Sequence, residues 1–278
     1  MCASASCLKQ VYLPDRFTKL CRIAGADPSE RADIFRSIAQ PEFVMFSKSA
    51  RFYDRLYAFK DYEEASHKVH DIIQARHSSA ATLLDVACGT GKHLERLSQH
   101  YQVEGLDLNP DLLEIAQSRL PDVPLHVGDM ADFALGKRFD VITSLFSSIA
   151  YVKTVENLGR TVQCFAQHLN PGGLVLVEPW FTPDTFWTGT ITANFVNDPD
   201  LKVVWMYTSN RRDRVAVHDI HYMVGTPTGI EQFTEIHELG LFARNECERA
   251  FTNVDLTVEY DPVGLFNRGL YIGLAHRK

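Results

Sequence analysis

None of the six cysteines, at 2, 7, 21, 88, 164 and 247, belongs to a C-x-x-C pair. That spacing excludes a dense disulfide framework, in a chain long enough to fold without covalent staples, and a reduced cytoplasmic protein is the expectation. No stretch approaches the roughly 18 apolar residues of a membrane span, and the opening MCASASCLKQ lacks the basic start and apolar run of a secretory leader. Basic residues are not in excess either: 28 Lys and Arg against 35 Asp and Glu leave a net charge of −7. This argues against nucleic-acid or acidic-membrane binding and still permits a local arginine pocket for a small anion. There is no internal repeat and no low-complexity tract. What is present is an ordinary globular balance, 45% hydrophobic and 23% charged over 278 residues. That length suits two domains of roughly 150 residues or one large α/β domain.

Residues 1–44 surround a weakly helical ERADIFRSIAQ that stops before Pro41, and are expected to form an N-terminal helical extension without site chemistry. Met45, ahead of FSKSARFYDRLY, would also serve as a natural start. From Asp61 to His77 apolar residues recur at helical spacing, and ATLLDVA then reads as a buried parallel strand. The alternation continues with KHLERLSQHY as helix, QVEGLDL as strand, PDLLEIAQSRL as helix, PLHVGDM and FDVITSLF as strands, VENLGRTVQCFAQHL as helix and GGLVLVEP as strand. Such a pattern predicts a doubly wound, mostly parallel α/β sheet. Beyond Pro179 the pattern changes. LKVVWMYTSNRRDRVAVHDIHYMV and IEQFTEIHELGLF are strand-like runs with no helix between them, so residues 180–242 are read as an inserted antiparallel β layer. RNECERAFTNV is expected as the last helix, with LTVEYDP and GLYIGLAHR as a terminal hairpin on the sheet edge.

The strand LLDVA runs into Cys88, Gly89, Thr90 and Gly91 ahead of a helix, placing glycines where backbone turns sharply and comes close to a ligand. A dinucleotide fingerprint would put a third glycine at Leu94, so a nicotinamide reading weakens but stays open, as does a plain tight turn. Asp107 ends the next strand, where a carboxylate can accept both hydroxyls of a ribose. Asp129, followed by Met130, ends the third, where it can accept from an adenine amino group. Asp85, just before the glycines, is placed to orient the loop or to meet an ammonium or sulfonium. Each aspartate alone suits a helix cap or turn; in order, at matching strand ends, they favour a site. His218 and His221 fall on one strand at odd spacing and so on opposite faces, and no metal is expected.

DVACGTG, the acidic residue of GLDLN, and GDM together resemble the class I S-adenosylmethionine-dependent methyltransferases. The resemblance implies a Rossmann-like, seven-stranded sheet. It also implies cofactor contact near Ala87, Gly89 and Gly91 for the methionine part, Asp107 for the ribose, Asp129 and Met130 for the adenine, and Leu145 beside the following strand. ARFYDRLYAFKDY, LFSSIAY, LVEPWF, HYMV and RGLYIGL are similar to a narrower group over roughly residues 45–278. These are the N,N-dimethyltransferases of nucleotide-linked amino sugars of the desosamine and mycaminose type. That likeness implies Tyr53 near the amine, Tyr62 at the cofactor, and Pro179, Trp180, Phe181 and Arg268 holding the nucleotide sugar. It places Ser209 in a segment that binds substrate.

Three departures stand out. Tyr151 occupies the place where those enzymes usually carry a His, Lys92 stands where Met is common, and the stretch from Trp205 to Arg214 carries aromatics and three arginines. A different sugar, or a different amine position, is therefore open. Read without the resemblance, Tyr53 and Tyr151 suit core or interface aromatics, Trp180 and Phe181 suit packing residues beneath the antiparallel layer, and Arg211, Arg212 and Arg214 suit a solvated turn.

The expectation is thus an N-methyltransferase binding S-adenosylmethionine at the strand ends and a dTDP-linked amino sugar beneath the antiparallel cap. In-line displacement needs a neutral amine lone pair held about 3 to 3.5 Å from the methyl carbon. Tyr53, Tyr151 and water are the candidates for taking the amine proton. The alternatives are a small-molecule N- or O-methyltransferase with a non-sugar acceptor, a NAD-dependent oxidoreductase, and a catalytically silent cofactor-binding protein. No nucleic-acid or membrane partner is expected, and a homodimer is expected from the family alone.

Overall fold

A computed structural model describes residues 45–277, and the helical extension expected over 1–44 lies outside the described residues. A 3₁₀ turn at Ala50–Phe52 leads into the short helix α1 (Tyr53–Leu56) and then α2 (Tyr62–Arg76). Asp61 starts α2 by accepting the Glu64 N–H at 2.8 Å, and Glu63, Glu64 and Arg76 lie at the ends that suit the helix dipole. The expected alternation follows: β1 (Thr82–Val86), α3 (Lys92–Leu97), β2 (Gln102–Asp107), α4 (Pro110–Arg119), β3 (Leu125–Val127), β4 (Phe139–Ser144), α5 (Val155–Gln167) and β5 (Leu169–Val177). Four antiparallel strands come next: β6 (Ile191–Asn197), β7 (Lys202–Arg212), β8 (Val215–Thr226) and β9 (Gly229–Gly240). The chain closes with α6 (Arg244–Thr252), β10 (Leu256–Asp261) and β11 (Leu270–Ala275).

The main sheet has seven strands in the order β10-β11-β5-β4-β1-β2-β3. It is parallel from β3 to β5, and the terminal hairpin adds antiparallel strands at the β5 edge. Helices cover both faces, so each strand alternates between two apolar layers. Leu83, Val141 and Leu174 pack with Val69 and Ile73 on one side, while Leu84, Ile142 and Val175 pack with Phe165 and Phe251 on the other. Because β1 has β2 on one flank and β4 on the other, the connections diverge at its carboxyl end, the place where open α/β sheets leave a crevice.

The second sheet has the order β6-β7-β8-β9. Val203, Trp205, Ile220, Tyr222 and Val224 on its inner face pack against Phe52 and Leu56, bringing the layer over the segment that leads into α1. His218 is buried and His221 exposed, as their spacing requires. Strand β6 has no counterpart in the sequence reading, because its residues are only partly buried in alternation and ITANFVN contains no sustained apolar run. The expected strand PLHVGDM stops at Val127, since the Asp129 side chain accepts the Ala131 N–H at 2.9 Å and turns the chain.

Candidate active site

The loop after β1 takes left-handed backbone at Ala87, Gly89 and Gly91, with φ of 62°, 56° and 76°. At Gly91 an added Cβ would press to 3.2 Å on the Ala116 Cβ, whereas at Gly89 it would meet nothing within 4 Å. Gly91 therefore serves helix packing, and Gly89 exposes bare backbone to open space. The loop is tied down from several elements. Ala87 and Cys88 N–H donate to Leu106 O at 2.7 and 3.1 Å, and Gly89 N–H donates to Asp107 Oδ2 at 2.8 Å. The other Asp107 oxygen accepts from Asn109 N–H at 2.8 Å. Asp54 accepts from Thr90 Oγ1 at 2.6 Å and pairs with Arg119, which also donates to Thr90 O, so α1 and α4 clamp the loop between them.

A cavity of about 390 Å³ opens at this edge. Ala87, Gly89, Asp107, Asp129 and Met130 line one side; Phe46, Tyr53 and Tyr151 line another. Gly91, Asp85, Leu145 and Tyr62 lie outside its lining. Gly91 caps α3, Leu145 is core, and the Tyr62 ring packs edge-on to His93 at 5.0 Å. Tyr53 packs edge-on against Phe46 at 5.0 Å. Asp85 is buried and accepts from Thr143 Oγ1 at 2.7 Å. Burial pushes its carboxyl up to about 7, against the Thr143 hydrogen bond and with the Asp107 charge adding. Burial also raises Asp107, against its backbone amide partners. A buried acid and aromatic rings lining one cavity favour a cationic ligand.

Pro179, Trp180, Phe181, Ser209 and Arg268 do not line this cavity. Four of them gather at a second position, past the end of β5. The Arg268 guanidinium lies 4.7 Å from the Trp180 ring and 5.7 Å from that of Phe181, and donates to Ser147 Oγ, which itself donates to Pro179 O at 2.6 Å. Ser209 is buried within β7, paired with His218. Arg211 and Arg212 are exposed, and Arg214 is tied to Glu246. Sequence reasoning did not single out Lys60 and Glu178, which adjoin Arg268. The Lys60 ammonium is set over the Phe146 ring and 4.3 Å from that of Phe266. Burial brings it down to about 6, Glu178 opposing and Arg268 reinforcing. The only signal was their place inside FKDY and EPW. Asp54 and Asn109 likewise had only their place inside ARFYDRLYAFKDY and GLDLN, and Arg119 only its place in a helical run.

In sequence and in fold the chain is similar to known enzymes. The methyltransferase domain family matches residues 83–173. The chain is 42% identical over 217 residues to dTDP-3-amino-3,4,6-trideoxy-alpha-D-glucopyranose N,N-dimethyltransferase of Streptomyces venezuelae, covering 77% of this chain and 92% of that protein. The chain belongs to the dTDP-amino-sugar N,N-dimethyltransferase family. It is a class I methyltransferase whose cofactor is S-adenosylmethionine. A second relative, dTDP-3-amino-3,6-dideoxy-alpha-D-glucopyranose N,N-dimethyltransferase of Streptomyces fradiae, is 39% identical over 86% of this chain and 96% of its own. The S-adenosylmethionine-bound amino pentose methyltransferase of Micromonospora echinaspora, involved in calicheamicin biosynthesis, superimposes with a TM-score of 0.74 at 36% identity, covering 80% of this chain and 96% of that one.

Within this family fold, the buried Asp85 has a measurable consequence. An acid whose folded value is raised to about 7 from an unfolded value near 3.8 keeps its proton longer when folded, so it removes stability as pH climbs through that interval. Asp85→Asn is therefore expected to gain on wild type between pH 4 and 8, by up to about 4 kcal/mol at the upper end. Paired thermal melts of the two proteins across that range check this; parallel curves would show that Asp85 ionises normally.

Proposed function

We propose that this enzyme transfers methyl groups to the amine of a dTDP-linked amino sugar. The observation that carries the reading is the cavity itself, in which the acidic strand ends and bare Gly89 backbone face Tyr53 and Tyr151. The open space before Gly89 fits the amino-acid end of S-adenosylmethionine; Asp107 suits the ribose, and Asp129 with Met130 suits the adenine edge. Phe46 and Tyr53, with Asp85 behind the loop, suit a positive centre. Bound there, the cofactor supplies an electrophilic methyl carbon. The chain's own contribution is then to hold the acceptor nitrogen in line, free of its proton, in a site sheltered from water. Tyr53 and Tyr151 are the hydroxyls at hand for that nitrogen. Arg268, backed by Trp180 and Phe181, is suited to hold the diphosphate, for which a guanidinium fork is the natural partner.

The reading extends to a cytoplasmic enzyme working on a small molecule, with a second copy of the chain as partner. No helix among the described residues is long and apolar enough to cross a membrane. Phe195, Met206, Met223 and Ile236 stand exposed on the outer face of the four-stranded sheet, an apolar surface that supports a homodimer.

Mass spectrometry of the purified protein with S-adenosylmethionine and a panel of dTDP-linked 3-amino and 4-amino sugars tests the proposal. A product heavier by one or two methyl groups is expected from at least one sugar. Turnover of the free amine without its nucleotide at equal efficiency, or of no sugar at all, would sink the assignment.

A further inference from the structure

Tyr151 reaches the cavity from the 3₁₀ turn Ser148–Val152, and a line of buried polar groups runs behind it, away from the cavity. Its hydroxyl lies 2.9 Å from His237 Nδ1, and His237 Nε2 lies 3.5 Å from Glu235 Oε2. His237 and Glu235 are two residues apart on β9 and so share a face, with 3% and 8% of their surface exposed. Glu235 is anchored by the Lys48 and Ser49 amides at 2.7 and 3.0 Å and by the Ser49 hydroxyl at 2.6 Å. We propose that Tyr151 and His237 form a proton relay that draws the proton of the acceptor ammonium out of the cavity, with His237 as its resting place and Glu235 as the counter-charge.

The inference rests on the amine-acceptor reading. In the step, an acceptor N–H bond breaks as its proton passes to Tyr151 Oη, while the Tyr151 O–H bond breaks and that proton joins His237 Nδ1. Tyr151 ends as neutral as it began, the positive charge moves from the ammonium to the imidazole beside the Glu235 carboxylate, and the acceptor nitrogen keeps its lone pair. When product leaves, the same path returns the proton to water.

Two features support a relay over a tyrosine acting alone. Burial, with the charges of Tyr222 and Glu235 adding, holds the Tyr151 hydroxyl well above its ordinary value, so it conducts a proton and does not retain the charge. Glu235 is held below the ordinary carboxylate value: burial works to raise it, and the hydrogen bonds from His237, Ser49 and the two amides outweigh that. As a carboxylate it only accepts, which places the resting His237 proton on Nε2 and leaves Nδ1 bare toward Tyr151. The remaining neighbours do not compete. From the segment before α1, Phe46 sets its ring edge-on to the imidazole at 4.6 Å. From β8, His218 faces His237 across the ladder and is brought down to about 4 by burial and by His237, while Tyr222 adjoins Glu235.

His237→Asn decides between relay and scaffold, because the Asn oxygen can accept the Tyr151 hydroxyl in place of Nδ1 yet holds no proton. With dTDP-3-amino-3,6-dideoxy-α-D-glucopyranose as acceptor, kcat is expected to fall on the order of a hundredfold near neutral pH, with KM little changed. The loss should shrink toward pH 9.5, where the acceptor arrives as free amine. Tyr151→Phe should behave alike, and the double variant should be no worse than either single one. Calorimetric binding of S-adenosylhomocysteine, unchanged in both, reports an intact site. Nitrogen-15 NMR of histidine-labelled wild type should show His237 as the Nε2–H form, with an Nδ1 shift that disappears in Tyr151→Phe. A pH-independent loss, additive variants, or an Nδ1–H tautomer would overturn the relay. Absence of wild-type turnover on any nucleotide amino sugar would instead refute the acceptor reading, and the tautomer would still decide the relay.

Discussion

Asp107→Ala is expected to weaken S-adenosylhomocysteine binding at least about a hundredfold, because one carboxylate performs two tasks. It accepts the Gly89 and Asn109 amides at 2.8 Å each, holding the glycine loop against the end of β2, and its remaining lone pairs face the cavity. Hydrogen bonds to a charged group contribute about 1.5 to 3 kcal/mol each, and every 1.4 kcal/mol is tenfold in affinity, so the two ribose hydroxyls proposed for this carboxylate set the scale, and a loosened glycine loop adds to the loss. Asp107→Asn should fall nearly as far. Its amide NH₂ would confront one of the two backbone donors, so a neutral isostere cannot serve both. Isothermal titration of the three proteins measures this directly; an Asn variant that binds like wild type would mean that Asp107 carries no charge-dependent role.

Glu178→Ala is expected to cost about 3 kcal/mol of stability, because it removes both the acceptor of the Phe146 amide and the opposite charge that acts on Arg268. Glu178 is fully buried near Arg268 and Lys60, and burial raises its carboxyl while Lys60, the Phe146 amide and Arg268 pull it down. The side chain also holds a strained turn. Phe146 and Ser147 take left-handed backbone, at φ of 54° and 61°, and the Phe146 N–H donates to Glu178 Oε2 at 2.7 Å. Removal therefore leaves the half-buried guanidinium, which cannot shed its charge, without that opposing charge and frees the turn beside the cavity. A melting temperature about 10 °C lower is the corresponding shift for a chain of this size. The added change Arg268→Met should restore much of the loss. If Glu178→Ala melts like wild type, the cluster is hydrated and Arg268 has no need of a counter-charge.

Most of the main sheet was legible because its signals are local. The run ATLLDVA, the helical spacing from Asp61 to His77, and the return of an apolar strand after each helix each need only a few neighbouring residues to be read. Strand β6 was not legible, because a half-exposed strand has no apolar run; its identity comes from pairing with β7 along the full register from Ile191 to Asn197. The acids at 107 and 129 could be placed on one edge because parallel strands put all their carboxyl ends there.

The sequence by itself determined the alternating α/β plan, the glycine turn, the acidic strand ends and the antiparallel character of the layer after Pro179, all of them consequences of periodicity and backbone preference. Only the tertiary structure decided which distant side chains share a position. Asp54 and Arg119 meet across 65 residues, Tyr151 and His237 across 86, and Ser49 and Glu235 across 186. Periodicity states which face of an element a residue occupies, but the partner on the opposing face is set by how the layers pack, and a buried polar group acquires its chemistry from that partner.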